Sequence, residues 1–470
     1  MIRIYLSIVF VGVFFSVQSQ YMCNHKHHST QLSQKSSNTR SDTINVLNYN
    51  VYLDITDYGN QKISGSCEVQ FVSLKNNVTI LDLDLLQMMV DSVTSQGQLI
   101  VATYNDTLLK ITLPFTLNIE DTSSVKVYYH GSPQGDPSGW GGWYFQGDYA
   151  YNLGVGFDAN PHNYGRVWHP CFDNFVERAT YDFSILTNAG KRSYANGYLV
   201  NDQIVGVDSL VRMWRMDSPI PTYLACIAVG NYTHVYQDYV SSVTANTTPV
   251  FLISEPADTN NFKSSFANLH AAIEAFEVGY GPYLWDKVGF HLVPFNSGAM
   301  EHATSIAYPR VTANGALTYE TLMAHELAHH WWGNLVTCRT AEDMWINEGM
   351  ASYSERLFLE YLYGYDSYIY DIKLNHKDVL HHAHVNDDGY FPLSGVPHQI
   401  TYGDHSYNKG ADVAHALRGY LGDSLFFIGL KSFLAANLYQ DVDATDFMNH
   451  LNTINGIEVT DFFNDWIFNP

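Results

Sequence analysis

Two hydrophobic patterns follow one another along the chain, and each predicts a different kind of secondary structure. Over residues 45–240, apolar and polar residues alternate in short runs such as 48–55 and 124–129, as in strands with one buried face. Turn-forming sequences such as the one around Gly59 separate these runs, and no amphipathic helical pattern interrupts them. This half is therefore predicted to be an all-β domain of packed sheets.

A stretch rich in serine, threonine and asparagine at 241–248 marks a predicted domain boundary. Beyond it, over residues 241–470, apolar residues recur mainly at helical spacing. Helices are predicted at 261–280, 317–332, 348–362 and 408–421, with two more between 424 and 468. Strand-like runs at 249–253 and 288–293 come before the second of these helices. The second domain is therefore predicted to be α+β, with helices in the majority.

Residues 1–44 show neither pattern. Arg3, an apolar run at 4–15 and a small-residue site ending at Ser19 are typical of a signal peptide, predicted here over 1–19. The run is too short to span a bilayer comfortably, and no later segment reaches about 18 consecutive apolar residues. Residues 20–44 are mostly polar and predict a disordered linker. We therefore expect an exported protein, periplasmic or extracellular, without stable membrane insertion.

Composition narrows the choice of partners. The 470 residues are 46% hydrophobic and 14% aromatic, enough to build large packed cores. Asp and Glu number 47 against 24 Lys and Arg, and this net charge of −23 argues against nucleic acid or anionic membrane as a partner. The five cysteines are scattered, without a CxxC pair, and predict no disulfide framework, although one isolated bridge stays open.

The strongest chemical signal lies in the helix predicted at 317–332, which contains the sequence His-Glu-Leu-Ala-His-His at 325–330. Because residues four apart share a helix face, His325 and His329 are predicted to bind one metal ion. Glu326 lies about 100° around the helix, where it would reach a water on the metal rather than the metal. His330 falls on another stripe and is predicted to be a neighbour. The alternative is a helix with two surface histidines, because the motif also occurs by chance.

A third metal ligand is needed, since catalytic zinc usually takes three protein ligands and keeps one position for water. Glu348 follows His329 after eighteen residues, which is enough to turn the chain and begin a second helix beside the first. Glu342 and Asp343 are competing carboxylates on the intervening loop, and a supporting or solvated role suits them better.

Upstream, Gly298-Ala299-Met300-Glu301 follows a strand-like segment. Its small residues would let an extended substrate backbone approach a sheet edge. Glu301 would then place a carboxylate beside the metal, where it could hold a substrate ammonium group. An exposed loop carboxylate is the default alternative for this residue.

Together these motifs resemble the M1 family of zinc aminopeptidases, of gluzincin type. Four further segments are similar to segments of that family: 168–173 to F-P-C-x-D, 221–225 to S-T-Y-L, 406–411 to Y-x-K-G-A, and 462–470 to the end of its catalytic domain. The resemblance covers roughly residues 45–470. It implies a mainly helical, thermolysin-like zinc peptidase domain after the all-β domain.

The resemblance also implies a role for each site residue. One Zn²⁺ per chain would be held by His325, His329 and Glu348. Glu326 would be the general base toward a zinc-activated water, and Tyr407 would stabilise the oxyanion. Glu301 would hold the free α-ammonium of a peptide, beside Gly298, Ala299 and Met300 in the substrate site. The implied activity is that of a metallo-aminopeptidase, an exopeptidase acting on peptides with a free N-terminus.

The sequence departs from the family pattern at three places. His302 stands where the motif usually has Asn, which would alter the local backbone or the first subsite. Met300, His302 and residues 162–166 would shape that subsite. A second amine-binding residue cannot be placed, and Asp158 is a weak candidate. The chain ends at Pro470, where many members continue into a helical C-terminal domain. A more open cleft, or one completed by a partner chain, is therefore expected.

Two other functions stay open at this point. The epoxide-hydrolysing branch of the same family shares the zinc ligands. A non-catalytic, peptide-binding relative is the other possibility, although such relatives typically lose the zinc motif, which is complete here. The preferred N-terminal side chain and the oligomeric state are not predicted.

Overall fold

The computed structural model describes residues 42–188, 190–456 and 458–470. The predicted signal peptide and residues 20–41 of the predicted linker lie outside the described residues. The first strand begins at Ile44. No helix among the described residues is both long enough and apolar enough to cross a bilayer.

Strands make up the first half of the chain. They are β1 (Ile44–Asp57), β2 (Lys62–Ser73), β3 (Val78–Asp84), β4 (Met89–Ser95), β5 (Gln98–Leu99), β6 (Ala102–Tyr104), β7 (Leu108–Leu117), β8 (Thr122–Gly131), β9 (Gly141–Gln146), β10 (Tyr149–Gly156), β11 (Ala179–Asn188), β12 (Arg192–Ala195), β13 (Tyr198–Val205), β14 (Ser209–Ile220), β15 (Ile227–Gly230) and β16 (Thr233–Val240).

The first fifteen of these strands, β1 to β15, form three sheets. The largest has eight strands in the order β13-β14-β11-β1-β2-β8-β4-β5, and within it β1 and β11 run parallel. The others are β12-β15-β10-β9 and β3-β7-β6. Alternate residues of β1, such as Val51, Leu53 and Ile55, are buried, as the period-two pattern predicts. The prediction of an all-β first domain is confirmed.

Helices dominate the rest of the chain. The elements are β17 (Thr247–Ser254), α1 (Thr259–Ser265), α2 (Leu269–Tyr280), β18 (Val288–Val293), β19 (Ile306–Pro309), α3 (Glu320–Ala328), β20 (Val336–Cys338), α4 (Glu348–Tyr363), α5 (Tyr365–Asp378), α6 (His384–Asn386), α7 (Gly410–Leu421), α8 (Asp423–Ala436), β21 (Gln440–Val442), α9 (Ala444–Asn455) and α10 (Thr460–Trp466). The predicted succession of a β domain and a mainly helical α+β domain is thus confirmed.

The predicted domain boundary at 240/241 lies at the end of strand β16. Strands β16 and β17 form an antiparallel hairpin in the four-stranded sheet β16-β17-β18-β19. The Ser- and Thr-rich stretch at 241–248 is therefore largely the turn of this hairpin, and the sheets change between Gly230 and Thr233. A hairpin turn and a linker have the same residue composition, so composition alone does not distinguish them.

Several helices differ from the prediction in their bounds. The predicted helix at 261–280 is two helices, because the chain leaves helical geometry at Phe266. The predicted helix at 317–332 is shortened to α3. Helix α5 was not predicted. Its apolar face is narrow, and only Tyr368, Ile372 and Asn375 are buried.

The tail from Asp423 contains three helices rather than the two predicted. Strand β21 pairs with β20 and separates α8 from α9. Asp443 and Asp446 form a capping box that begins α9, and Gly456 ends it in the left-handed conformation.

Four cysteines, Cys67, Cys171, Cys226 and Cys338, are buried free thiols, while Cys23 lies outside the described residues. Burial raises the pKa of the Cys226 thiol to about 12. None of the four is therefore poised as a nucleophile, since the thiolate is the reactive form.

Candidate active site

Three buried side chains, His325, His329 and Glu348, converge where helices α3 and α4 meet. The Nε2 atoms of His325 and His329 lie 3.1 Å apart. Glu348 Oε2 lies 3.3 Å from His325 Nε2 and 3.2 Å from His329 Nε2. Each of the three places one possible ligand atom within 4.8 Å of the others. The two histidines predicted to share a helix face and the predicted third ligand are thus brought together.

This donor set fits a zinc ion. Two imidazole nitrogens and one carboxylate oxygen are common ligands of catalytic zinc. In a tetrahedral site with ligands at about 2.1 Å, neighbouring donor atoms lie about 3.4 Å apart. The observed separations of 3.1–3.3 Å are close to that spacing. A fourth position remains for water or substrate.

Both imidazoles are held by the nitrogen that faces away from this site. Nδ1 of His325 lies 2.9 Å from Glu355 Oε1, and Nδ1 of His329 lies 2.9 Å from the Trp332 carbonyl oxygen. With Nδ1 protonated as the donor, Nε2 of each ring is left to bind the metal. Glu355 is not among the residues predicted from the sequence. It lies seven residues after Glu348, on the same face of α4, and this spacing is the signal that could have identified it.

The electrostatics of the site favour a cation. Burial lowers the pKa of His329, but the charges of Glu348 and Glu301 and the hydrogen bond to Glu348 together outweigh burial and raise the pKa to about 9. Burial is also the largest influence on Glu326, whose pKa is raised to about 8, with the charges of Glu301 and Glu348 contributing. Without a metal ion, the cluster therefore holds protons. A bound cation would take the place of those protons.

Glu326 and Glu301 lie beside the metal ligands rather than among them. Together with His329 they form a second group of possible ligand atoms within 4.8 Å of one another. Both carboxylates are buried, and burial raises the pKa of Glu301. Among the described residues, neither group includes His330, Asp158, Glu342 or Asp343.

The segment from Gly298 to Glu301 forms a short edge beyond strand β19. Met300 and Ala307 exchange two backbone hydrogen bonds of 2.9 Å and form an antiparallel bridge. Gly298 has φ +133°, and a Cβ atom there would lie 3.1 Å from Trp140 Nε1. The small residues of this segment thus allow close packing against the β domain. His302 is completely buried, and its Nε2 lies 3.5 Å from Asn152 Nδ2. This places His302 at the contact with the β domain.

The loop that follows Glu301 is fastened to the turn that follows the metal-binding helix. Thr304 donates its N–H to His330 Nε2 at 3.2 Å, and Asn334 donates its side-chain amide to the Glu301 carbonyl at 2.8 Å. Thr304 has φ +63°, a conformation unfavourable for a β-branched residue. These hydrogen bonds offset that strain and fix the distance between Glu301 and the metal ligands.

Two side chains of the β domain donate hydrogen bonds to the same turn. Arg178 donates to the Asn334 carbonyl at 3.0 Å, and Tyr223 donates its hydroxyl to the Gly333 carbonyl at 2.9 Å. Tyr223 lies in one segment that supported the family resemblance, and its neighbour Thr222 donates to Asp173 of another at 2.6 Å. Both segments therefore act in the structure as supports for the catalytic domain.

An aromatic stack that joins the two domains lies beside the metal site. Phe157 stacks on Trp140 and on Tyr402, with ring centroids 4.5 Å apart in both pairs. The pKa of Tyr402 is raised well above its usual value by burial and by the carboxylates of Glu348 and Glu301, which lie close enough to act on it. This stack is not predicted from the sequence, because its members are far apart in the chain.

Tyr407 lies on the same side of the site as His325. Their rings are nearly parallel, with an interplanar angle of 13° and centroids 6.0 Å apart. Tyr407 belongs to a π-helical turn, His405–Lys409, that leads into α7. Such turns occur frequently at functional sites.

The site and the fold define the class of protein. Residues 45–224 match the family model of the peptidase M1 N-terminal domain, and residues 263–466 match that of the peptidase family M1 domain. The chain belongs to peptidase family M1.

Two curated relatives match along most of the chain. It is 21% identical over 458 residues to probable aminopeptidase 1 of Sulfurisphaera tokodaii, a match covering 91% of this chain and 53% of the relative. It is 26% identical over 465 residues to aminopeptidase N of Lactococcus lactis subsp. lactis, covering 90% and 51%. The chain thus spans about half the length of these relatives.

Solved structures share the fold over nearly the whole chain. A two-domain M1 zinc metallopeptidase mutant bound to L-tryptophan superposes with a TM-score of 0.81 at 22% identity, covering 95% of this chain and 97% of that chain. A mutant of an M1 zinc metallopeptidase from Deinococcus radiodurans, bound to a Tyr-Ser-Ala substrate, gives 0.81 at 23% identity, covering 91% and 94%.

Proposed function

We propose that the protein is a zinc-dependent aminopeptidase that hydrolyses the first peptide bond of peptides with a free N-terminus. One observation carries the proposal: the buried carboxylate of Glu301 lies in one cluster with Glu326 and the metal ligand His329. A fixed negative charge so close to the metal binds an α-ammonium group. The carbonyl that then reaches the metal is that of the first residue.

His325, His329 and Glu348 would hold the zinc ion. When bound, zinc acts as a Lewis acid and lowers the pKa of water toward about 7. The Nδ1 contacts to Glu355 and to the Trp332 carbonyl fix the tautomer of both imidazoles and turn Nε2 of each ring toward the metal position.

Glu326 is proposed to accept the proton of the attacking water and to deliver it to the leaving amine. Its burial supports this role, because a carboxylate in a poorly solvated site has a raised pKa and carries a proton more readily. Tyr407 is proposed to donate a hydrogen bond to the carbonyl oxygen as negative charge develops on it. Its position against the face of His325 supports this assignment.

Gly298, Ala299 and Met300 are proposed to bind the extended substrate backbone. The bridge between Met300 and Ala307 holds this segment as a rigid edge, and extended peptides bind such edges by main-chain hydrogen bonds. The stack of Trp140, Phe157 and Tyr402 would provide an apolar wall beside it.

The proposal is tested with purified, zinc-loaded protein and a panel of aminoacyl 4-nitroanilides. We expect hydrolysis that a chelator abolishes and zinc restores. Glu326→Gln should abolish turnover while zinc stays bound. Glu320→Gln, on the first turn of the same helix, is the matched control and should keep activity. Absence of hydrolysis across the panel, or turnover retained by Glu326→Gln, would contradict the proposal.

We also propose that the protein is exported, which rests on the sequence of residues 1–19 alone. The test is expression in a bacterial host, followed by cell fractionation and sequencing of the mature N-terminus. We expect the protein outside the cytoplasm with its N-terminus at Gln20. A cytoplasmic protein that still carries residues 1–19 would refute this proposal.

A further inference from the structure

The π-helical turn that carries Tyr407 is held at its start by a buried carboxylate, Asp387. Asp387 Oδ1 accepts the backbone N–H of Asp404 at 3.1 Å, and its Oδ2 accepts the backbone N–H of His405 at 2.8 Å. Oδ2 also lies 2.6 Å from His405 Nδ1. One carboxylate thus receives three hydrogen bonds from two consecutive residues, just before Tyr407.

The imidazole of His405 makes a second contact with the loop that carries Asp387. Phe391 donates its backbone N–H to His405 Nε2 at 3.1 Å, so Nε2 is the acceptor and Nδ1 carries the proton given to Asp387. Lys409, at the end of the π-helical turn, donates to the Phe391 carbonyl at 2.7 Å. The turn is therefore tied at both ends to the loop 387–391.

Close backbone packing leaves the turn little freedom. A Cβ atom on Gly403 would lie 2.4 Å from Asp387 Oδ1, so this glycine is what allows the carboxylate to approach. On the other side, a Cβ atom on Gly349 would lie 2.8 Å from the Ser406 carbonyl oxygen. Gly349 follows the metal ligand Glu348 directly. The π-helical turn is thus fixed between the Asp387 loop and the helix that carries a metal ligand.

A buried carboxylate is costly unless hydrogen bonds stabilise it, and the side chains of both Asp387 and His405 are nearly inaccessible to solvent. We propose that Asp387 is a positioning residue: through His405 it holds the π-helical turn so that the Tyr407 hydroxyl faces the developing oxyanion. The proposal rests on the proposed aminopeptidase function. It assigns Asp387 no contact with the substrate.

The test is the kinetics of Asp387→Asn, which keeps the shape of the side chain but cannot accept all three hydrogen bonds. We expect kcat to fall about 10-fold, in the range for residues that orient catalytic groups, with KM and bound zinc unchanged. Asp378→Asn is the matched control. Asp378 accepts a hydrogen bond from the Asn408 side chain at 3.0 Å rather than from the backbone of the turn, so its kcat should change less than about twofold.

A double-mutant cycle with Tyr407→Phe separates positioning from general support of the fold. If Asp387 acts through Tyr407, Asp387→Asn should cause no further loss of kcat once the hydroxyl is gone. The same fractional loss in both backgrounds would overturn the proposal, as would an unchanged kcat in the single variant. Should Asp387→Asn fail to fold, Gly403→Ala displaces the same carboxylate, and the same non-additive loss is expected of it.

Hydrogen exchange provides a readout that does not depend on activity. In Asp387→Asn, the amides of residues 403–409 should exchange faster, while those of α3 and α4 stay unchanged. Unchanged exchange at 403–409 would overturn the proposal. If the wild-type protein hydrolyses no aminoacyl amide, the proposed function is refuted, and the positioning role of Asp387 is refuted with it. An active wild type with an additive cycle refutes only the role of Asp387.

Discussion

The most specific prediction concerns Glu301, because this residue is proposed to limit the metallopeptidase to exopeptidase activity. Glu301 is only 7% exposed, so its interaction with a substrate ammonium group is poorly screened. Glu301→Gln keeps the shape of the side chain and removes the charge. Losing one partner of a buried charge pair costs about 2–5 kcal/mol. We take about 3 kcal/mol, which corresponds to about a 150-fold loss in kcat/KM.

The assay compares an aminoacyl 4-nitroanilide with the analogue that lacks the α-amino group. Wild-type protein should prefer the amine, and Glu301→Gln should lose most of this preference by losing activity on the amine substrate alone. Glu342→Gln, on the loop before α4, is the control and should behave as wild type. Equal losses on both substrates would show that Glu301 supports the fold of the site, and the reasoning would be refuted.

Three further predictions concern the metal and the oxyanion. Glu355→Ala should weaken zinc binding about 10- to 100-fold, because it frees the Nδ1 atom of His325 to reorient; a chelator competition that gives wild-type affinity would contradict this. Zinc affinity should rise with pH by about ten- to hundredfold per unit below pH 9, because the metal must displace the proton that His329 holds below its raised pKa of about 9 and a second proton from His325, whose pKa is also raised since its hydrogen bonds to Glu348 and Glu355 outweigh burial. The same competition measured across that range tests it, and a pH-independent affinity would be inconsistent. Tyr407→Phe should lower kcat about 100-fold with little change in KM, measured by steady-state kinetics; a loss in KM alone would remove Tyr407 from the oxyanion role.

The metal-binding residues could be predicted because their geometry follows from local periodicity. His325 and His329 share a helix face by their spacing, and Glu348 begins the helix that packs beside them. The β domain was also predictable, since period-two alternation requires nothing beyond one buried sheet face. The predicted end of this domain at 240 rests on composition alone, and the turn of the β16–β17 hairpin has the same composition as a linker.

The rest of the site depends on contacts between distant segments. The π-helical turn at 405–409 is held by the Asp387 carboxylate, which accepts the His405 N–H, and by Phe391, which donates to the His405 side chain; no local pattern encodes these contacts. The positive φ of Thr304 is supported by His330, which lies on another element. The stack of Trp140, Phe157 and Tyr402 spans both domains. Sequence spacing within one element carries no information on such contacts.

The proposed activity is the removal of single residues, one after another, from the N-terminus of a peptide. Its most direct test is a time course with a short unblocked peptide, its N-acetylated form and zinc-loaded protein, with all products identified by mass spectrometry. We expect successive loss of single N-terminal residues from the free peptide and no cleavage of the acetylated one. Internal cleavage, or equal cleavage of both peptides, would contradict it.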